Sequence, residues 1–401
     1  MSSTPSPLQR YTFCAALGAS AAILFSIAVS QILLGVAFVL LLASRQKPRF
    51  PPIKLPLGLF MLGTVVSLFL SGNPALGLPQ IKKFFVFLFA LVVYSAFRKL
   101  SQVRLAVLVW SGIASLSAIF SFVQFFRFYE GSQEAHSGFY QFYIGSRITG
   151  FMSHWMTLGG EEMIIIMMLA ALLFLGPAGR WRTAGWTALG LLIVSLALGL
   201  TRSIWIGTFL AGIYLIWFWK RWLVPIVPLL AAAMLFFAPV RERAVSIFHS
   251  HGDMDSNQFR VVVWRTGMEM IRAHPWFGVG PEEVKPQFDR YVPPDIPRPL
   301  PSGWYGHLHN IYIQYAAERG IPTMLMMMWL IAKVLYDLSR ALRRGVSNQQ
   351  RWIVHGVIAV IIGILVEGVA EYNLGDSEVL TLFLVCVSFG YLAIENVPSE
   401  S

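Results

Sequence analysis

Residues 184–219 read AGWTALGLLIVSLALGLTRSIWIGTFLAGIYLIWFW and hold a single charge, Arg202. About 20 helical residues cross the hydrocarbon core of a bilayer, so this run is too long for one crossing. It predicts two helices, over 184–200 and 203–219, with Arg202 at the turn between them. An ionised side chain there is costly unless it faces a polar cavity, binds an anion or snorkels back to the interface.

Working outward, further apolar runs lie at 11–27, 30–43, 55–71, 81–97, 104–127, 155–175, 222–238, 309–336, 352–371 and 377–394. With the first pair they predict an all-α polytopic membrane protein of about twelve transmembrane helices, forming one domain over residues 1–401. Ser26 to Gln31 has to hold a tight turn between the first two, unless those form one longer tilted helix with a re-entrant end. The composition, 56% hydrophobic and only 13% charged, would leave a soluble chain with large exposed apolar patches.

A net charge of +11 would suggest nucleic acid for a soluble protein, but here the basic residues have a topological pattern. Arg45, Lys47, Arg49 and Lys54; Arg98, Lys99 and Arg104; Arg180 and Arg182; Lys220 and Arg221; and Arg340, Arg343, Arg344 and Arg351 occupy every second connection. By the positive-inside rule those connections and both termini are cytoplasmic. Connections 72–80, 128–154, 201–202, 239–308 and 372–376 then face outward. The longest, 239–308 between the ninth and tenth spans, carries eight basic, eight acidic and nine proline residues, and is expected to pack on the bundle as short helices and extended pieces. Phe259 to Ala273 is its best helix, stopped at His274-Pro275.

Candidate chemistry gathers on the outward side. His309, in Gly306-His307-Leu308-His309-Asn310, opens the tenth span, where the positive end of the helix dipole favours a neutral imidazole able to act as a base; an interfacial capping residue would look the same. Gly320, eleven residues on and about three turns away, should lie beneath it and admit another helix. His307 is one residue removed, a spacing that does not share a helix face.

Arg202 has company in Arg260 and Arg265 on the loop helix, which diverge by about 140° and so should not both enter one site. Arg147 precedes another helix entry beside His154, in a setting that also suits an ordinary loop arginine. Converging guanidinium groups beside a bilayer suit a diphosphate or another anionic lipid headgroup. Lys82 and Lys83 break the positive-inside pattern and could reach the same phosphates. Glu371 could orient an imidazole or serve as base, or pair structurally with an arginine.

No HExxH pattern points to zinc and no GxxxxGK[ST] loop to ATP, so no cofactor is expected and the energy has to come from an activated substrate or an ion gradient. Cys14 and Cys386 lie at opposite ends in apolar runs and imply neither a disulfide nor a thiol-metal site.

His309-Asn310, then nine residues, Gly320, two more and Thr323 resemble the histidine motif of bacterial O-antigen ligases, within the polymerase/ligase superfamily of membrane glycosyltransferases. Arg202 in its Arg-Ser-x-Trp setting, Arg260 four residues before Trp264, and Pro275-Trp276-Phe277-Gly278-Val279-Gly280 match the same pattern. The resemblance spans roughly 140–325. It implies a GT-C-like bundle in the bacterial inner membrane with a periplasmic active site. There, polysaccharide passes from undecaprenyl diphosphate to a sugar hydroxyl of lipid A-core by a metal-independent, inverting transfer. It also implies His309 as the base, Arg202 and Arg260 as diphosphate clamps and Arg147 as a weaker third, with Arg265 and His307 less well matched. O-antigen polymerases and protein O-oligosaccharyltransferases share this logic; a flippase would instead carry its charges near mid-membrane.

Overall fold

The computed structural model describes residues 6–45, 47–177, 179–245 and 256–395. It is helical, with no strand among the described residues. In chain order the helices are α1 (Pro7–Ala22), α2 (Ile27–Ala43), α3 (Lys54–Leu70), α4 (Pro74–Lys82), α5 (Leu88–Ala96), α6 (Leu100–Glu134), α7 (Phe139–Ile144), α8 (Trp155–Leu175) and α9 (Arg182–Leu198). They continue with α10 (Arg202–Lys220), α11 (Ile226–Ala233), α12 (Ala238–Val245), α13 (Ser256–Ala273), α14 (Val284–Tyr291), α15 (Ile311–Arg344), α16 (Asn348–Glu367) and α17 (Ser377–Ile394).

The chain is a multi-pass membrane protein: among the described residues eight helical stretches are long and apolar enough to cross a bilayer. Three more apolar stretches, Ile27–Ala43, Lys54–Leu70 and Ile226–Phe236, are shorter, so length and composition support eight of the about twelve crossings expected. The run expected over 222–238 is shortened for a local reason. Pro225 and Pro228 interrupt its hydrogen-bond ladder, and only the two-turn α11 and a 3₁₀ turn form there. The first two helices are separate: they pack as a hairpin through a turn at 23–26, and the Ser26 hydroxyl caps α2 by accepting from Val29 N at 3.3 Å.

Helix α8 is the axis. Apart from Thr157, Glu161 and Glu162 near its start it is apolar all round, as suits a helix surrounded by others, and every residue from Thr157 to Leu173 is buried. α10, α16, α17, α9 and α6 pack around it. The N-terminal ends of α8, α10, α15 and α17 and the C-terminal end of α16 therefore meet at one end of the bundle. Residues 256–310 cap that end as short helices and turns with a core of their own, in which Val263, Met270, Val284 and Leu308 are buried. α13 begins three residues earlier than expected and packs on α15.

α15 is broken at Gly320, where φ is 81°, with Pro322 just beyond. The break orphans backbone groups that the Pro275–Gly280 segment satisfies. Val279 N and Gly280 N donate to the carbonyls of Ala317 (2.8 Å) and Glu318 (3.0 Å), and Ile321 N donates to Pro275 O (2.8 Å). What approaches at Gly320 is thus a non-helical strip that begins with a turn, not the helix expected from its spacing. A Cβ on Gly320 would lie 2.1 Å from Trp276 O, and one on Gly278 2.2 Å from the Glu318 carbonyl carbon.

Gly278→Ala and Gly320→Ala should each destabilise the protein by about 2 kcal/mol or more, because both a left-handed φ and a backbone clash stand in the way. Gly35→Ala, where nothing lies within 4 Å, should not destabilise it. Thermal unfolding in detergent tests the contrast; equal midpoints for all three would contradict the crossing.

Candidate active site

Glu371 lies in the short connection between α16 and α17 and its side chain is fully buried. A carboxylate out of water has to be paired, and three groups pair it. Arg260 of α13 donates from Nη2 to Oε1 at 2.6 Å while its Nε reaches the Ala370 carbonyl at 3.2 Å. Ser203 of α10 donates to Oε1 at 3.3 Å. His309 Nδ1 meets Oε2 at 3.1 Å. Burial pushes the Glu371 carboxyl up, but the charge of Arg260 and the hydrogen bond from His309 outweigh it and hold the group at about 2.

A carboxylate accepts and cannot donate, so Nδ1 of His309 carries the hydrogen. In the neutral ring the lone pair is then on Nε2, the pattern of a general base held by a second-line carboxylate. His309 does not open the helix as expected. It sits one residue before the N-cap Asn310, with a left-handed φ of 44°. Asn310 Oδ1 accepts from Tyr312 N and Ile313 N, both at 2.9 Å, while its Nδ2 donates to Val369 O at 2.7 Å. The cap therefore locks the histidine's backbone to the same connection that carries Glu371.

His307 also lies outside the helix, so helical spacing does not apply to it. Its ring is 4.1 Å from that of His309, and Phe259 meets His309 edge-on at 5.3 Å. Burial, and then the neighbouring His309, pulls the His307 ring down to about 3, so it is neutral at ordinary pH. His154 caps α8 by accepting from Met156 N at 3.3 Å, and the fields of Glu371 and Arg147 both reach it.

The arginines separate as the helical geometry requires. Arg202, the first residue of α10, is buried and donates to Asn257 Oδ1 at 2.6 Å. Arg147 is buried against the Trp155 ring at 4.8 Å and donates to Ile144 O (3.1 Å) and Leu200 O (3.4 Å). Burial, reinforced by Arg243, lowers its guanidinium to about 9. Arg265 is not brought to the cluster: five residues along α13 from Arg260, it forks onto exposed Asp295 with two bonds of 2.8 Å. Lys83 donates to Gly375 O at 3.0 Å and so steadies the Glu371 connection, whereas Lys82 is exposed at the end of α4.

Sequence reading missed Arg243, which is buried and donates from Nε to Leu200 O at 2.9 Å. In Val240-Arg241-Glu242-Arg243 only the register of α12 distinguishes it from its neighbours. It also missed Ser203, Asn257 and Asn310 as the polar supports of Glu371, Arg202 and His309.

One end of the bundle thus gathers four guanidinium groups, one ionised carboxylate and a carboxylate-held imidazole. Residues 187–328 match the O-antigen ligase family model. The matched segment contains Arg202, Arg243, Arg260, His307, His309 and Gly320, and leaves Arg147 and Glu371 outside. This supports an O-antigen ligase assignment and, with it, a membrane glycosyltransferase-like activity on lipid-linked polysaccharide. No curated protein matches the chain.

Removing Glu371 takes the counter-charge from the partly buried Arg260 and the partner from His309, so Glu371→Ala should cost about 3 kcal/mol, read as a lowered unfolding midpoint. Because the folded carboxyl titrates at about 2, below its ordinary 4.5, its stabilisation is complete above about pH 4.5 and is lost as pH falls towards 2. A Glu371→Gln variant should accordingly show a flatter acid limb than the wild type between those values. Arg265→Ala should leave both stability and transfer near wild type.

Proposed function

We propose that the protein is an O-antigen ligase of the bacterial inner membrane. In this reading it works at the periplasmic face, with both termini cytoplasmic, and transfers O-antigen polysaccharide from undecaprenyl diphosphate to a sugar hydroxyl of lipid A-core. The observation that carries the reading is the shared carboxylate: Glu371 holds His309 Nδ1 on one oxygen and Arg260 on the other, which sets a base beside a phosphate-binding cation.

The reaction asks little else of the protein. The acceptor hydroxyl oxygen forms a bond to the anomeric carbon as its proton passes to His309 Nε2. The bond from the anomeric carbon to the diphosphate oxygen breaks, and its electron pair leaves with undecaprenyl diphosphate. Attack opposite the leaving group inverts the anomeric centre. Arg202 and Arg260, with Arg147 behind them, meet the charge that grows on the departing diphosphate, and because they are held in place largely out of water little reorganisation is needed as it grows. Fixed guanidinium groups suit this task because each offers paired donors to phosphate oxygens. Glu371 keeps the imidazole in the tautomer that can accept and stabilises it once protonated.

A polymerase would use the same donor, so the acceptor separates the two. His309→Ala should lower transfer by about 10²–10⁴-fold. In the native host it should leave lipopolysaccharide as bare core while long polymer builds up on undecaprenyl diphosphate. A single repeat attached to core would identify a polymerase, build-up on the cytoplasmic side a flippase, and unchanged lipopolysaccharide would remove His309 from the role of base.

A further inference from the structure

Two buried guanidinium groups, from Arg147 and Arg243, converge on one neutral acceptor, the carbonyl of Leu200. That carbonyl is turned towards them by the left-handed backbone of Leu200, with φ of 47°, in the bend that ends just before α10 and Arg202. Two like charges on one carbonyl repel, and after burial the nearby Arg243 lowers the hold of Arg147 on its proton. A bound dianion would relieve the repulsion.

The neighbourhood says which part of a lipid diphosphate belongs there. α12 separates two cavities. Its Val240 and Ala244 line an apolar groove of about 540 Å³ between α8, α9, α10 and α11. Its Pro239 and Glu242 line an aromatic cavity of about 530 Å³ against Phe125 and Phe139. At 100° per residue Arg243 falls on the side of α12 between Pro239 and Val240, and so stands where the apolar groove ends and the arginine cluster begins. On the other side, Arg260 shares Glu371 with His309. The base has to reach the acceptor hydroxyl that attacks the anomeric carbon, so of the two phosphates the one that leaves that carbon belongs nearer to Arg260.

We propose that Arg243, with Arg147, forms a second phosphate subsite that holds the prenyl-linked phosphate of the donor at the mouth of the apolar groove, into which the isoprenoid chain runs. This rests on the lipid-diphosphate reading of the site. It divides the diphosphate between two pairs of cations: Arg202 and Arg260 take the phosphate that departs from the sugar, and Arg147 and Arg243 take the one that stays on the prenyl chain throughout. The second pair therefore anchors substrate and product alike.

The test is binding of undecaprenyl monophosphate and undecaprenyl diphosphate, in mixed micelles, to the full-length protein and its variants. The monophosphate has only the prenyl-linked group. Arg243→Gln should weaken both lipids by roughly ten-fold or more, and Arg243→Lys should recover part of the loss. Arg260→Gln should weaken the diphosphate by a similar factor and leave the monophosphate within about two-fold. A merely structural role for Arg243 would not produce this crossed pattern. Unchanged binding in Arg243→Gln, a loss confined to the diphosphate, or an equal loss of monophosphate in Arg260→Gln would overturn the assignment. If Arg243→Gln does not fold, Arg147→Gln carries the same expectations. His309→Ala keeps the two readings apart: normal binding of both lipids without transfer supports the ligase chemistry whatever Arg243 does, and surviving transfer removes that chemistry without touching the binding result.

Discussion

A single carboxylate out of water, Glu371, organises this molecule's working end. Its two oxygens tie together α13 through Arg260, α10 through Ser203 and the approach to α15 through His309. None of these elements is close to the others in sequence. The price of burying the charge is met only when all three arrive, so the active geometry and the packing of the cap on the bundle are one event. The same bond that makes Glu371 tolerable in a dry interior fixes which nitrogen of His309 can take a proton. Stability and chemistry are here read from one pair of oxygen atoms.

Around that carboxylate the charge balance leans strongly positive, with Arg147, Arg202, Arg243 and Arg260 gathered near it. Three buried cations and a fourth that is half-buried are expensive for a resting protein. Part of the cost is offset by neutral acceptors: the Leu200, Ile144 and Ala370 carbonyls and the Asn257 amide. Carbonyls orient guanidinium groups without cancelling their charge, so these particular contacts leave the positive field in place. A field of that sign prepared before the ligand arrives is what departing phosphate requires, since no reorganisation is then needed as charge develops.

Much of this was legible in the sequence, and the limits are physical. Residues 184–219 announce two membrane helices and an arginine between them, and the expected helix Phe259 to Ala273 lies within three residues of α13, its end fixed by the His274-Pro275 stop. The divergence of Arg260 and Arg265 followed from helix rotation alone. Where the reading fell short, the deciding factor was tertiary or concerned a few backbone angles. Pro225 and Pro228 turn an apolar run into short pieces. His307 and His309 stand just outside the helix, where a period of 3.6 has no meaning. Glu371 stood open between orienting an imidazole and pairing with an arginine, because nothing local tells that it does both, one with each oxygen. Arg243 sits in an ordinary charged heptad, and only the fold brings it to Leu200.

The crossing of Gly278 and Gly320 has a consequence for inheritance. Each glycine occupies the space that the other's neighbour would need, and the backbone bonds of Val279, Gly280 and Ile321 are drawn from both strips. The strip from Pro275 to Gly280 and the break in α15 are therefore a single unit written in two places along the chain. A side chain gained at either place has to be answered at the other, so the two should drift together through descent, and sequences that keep one should keep both.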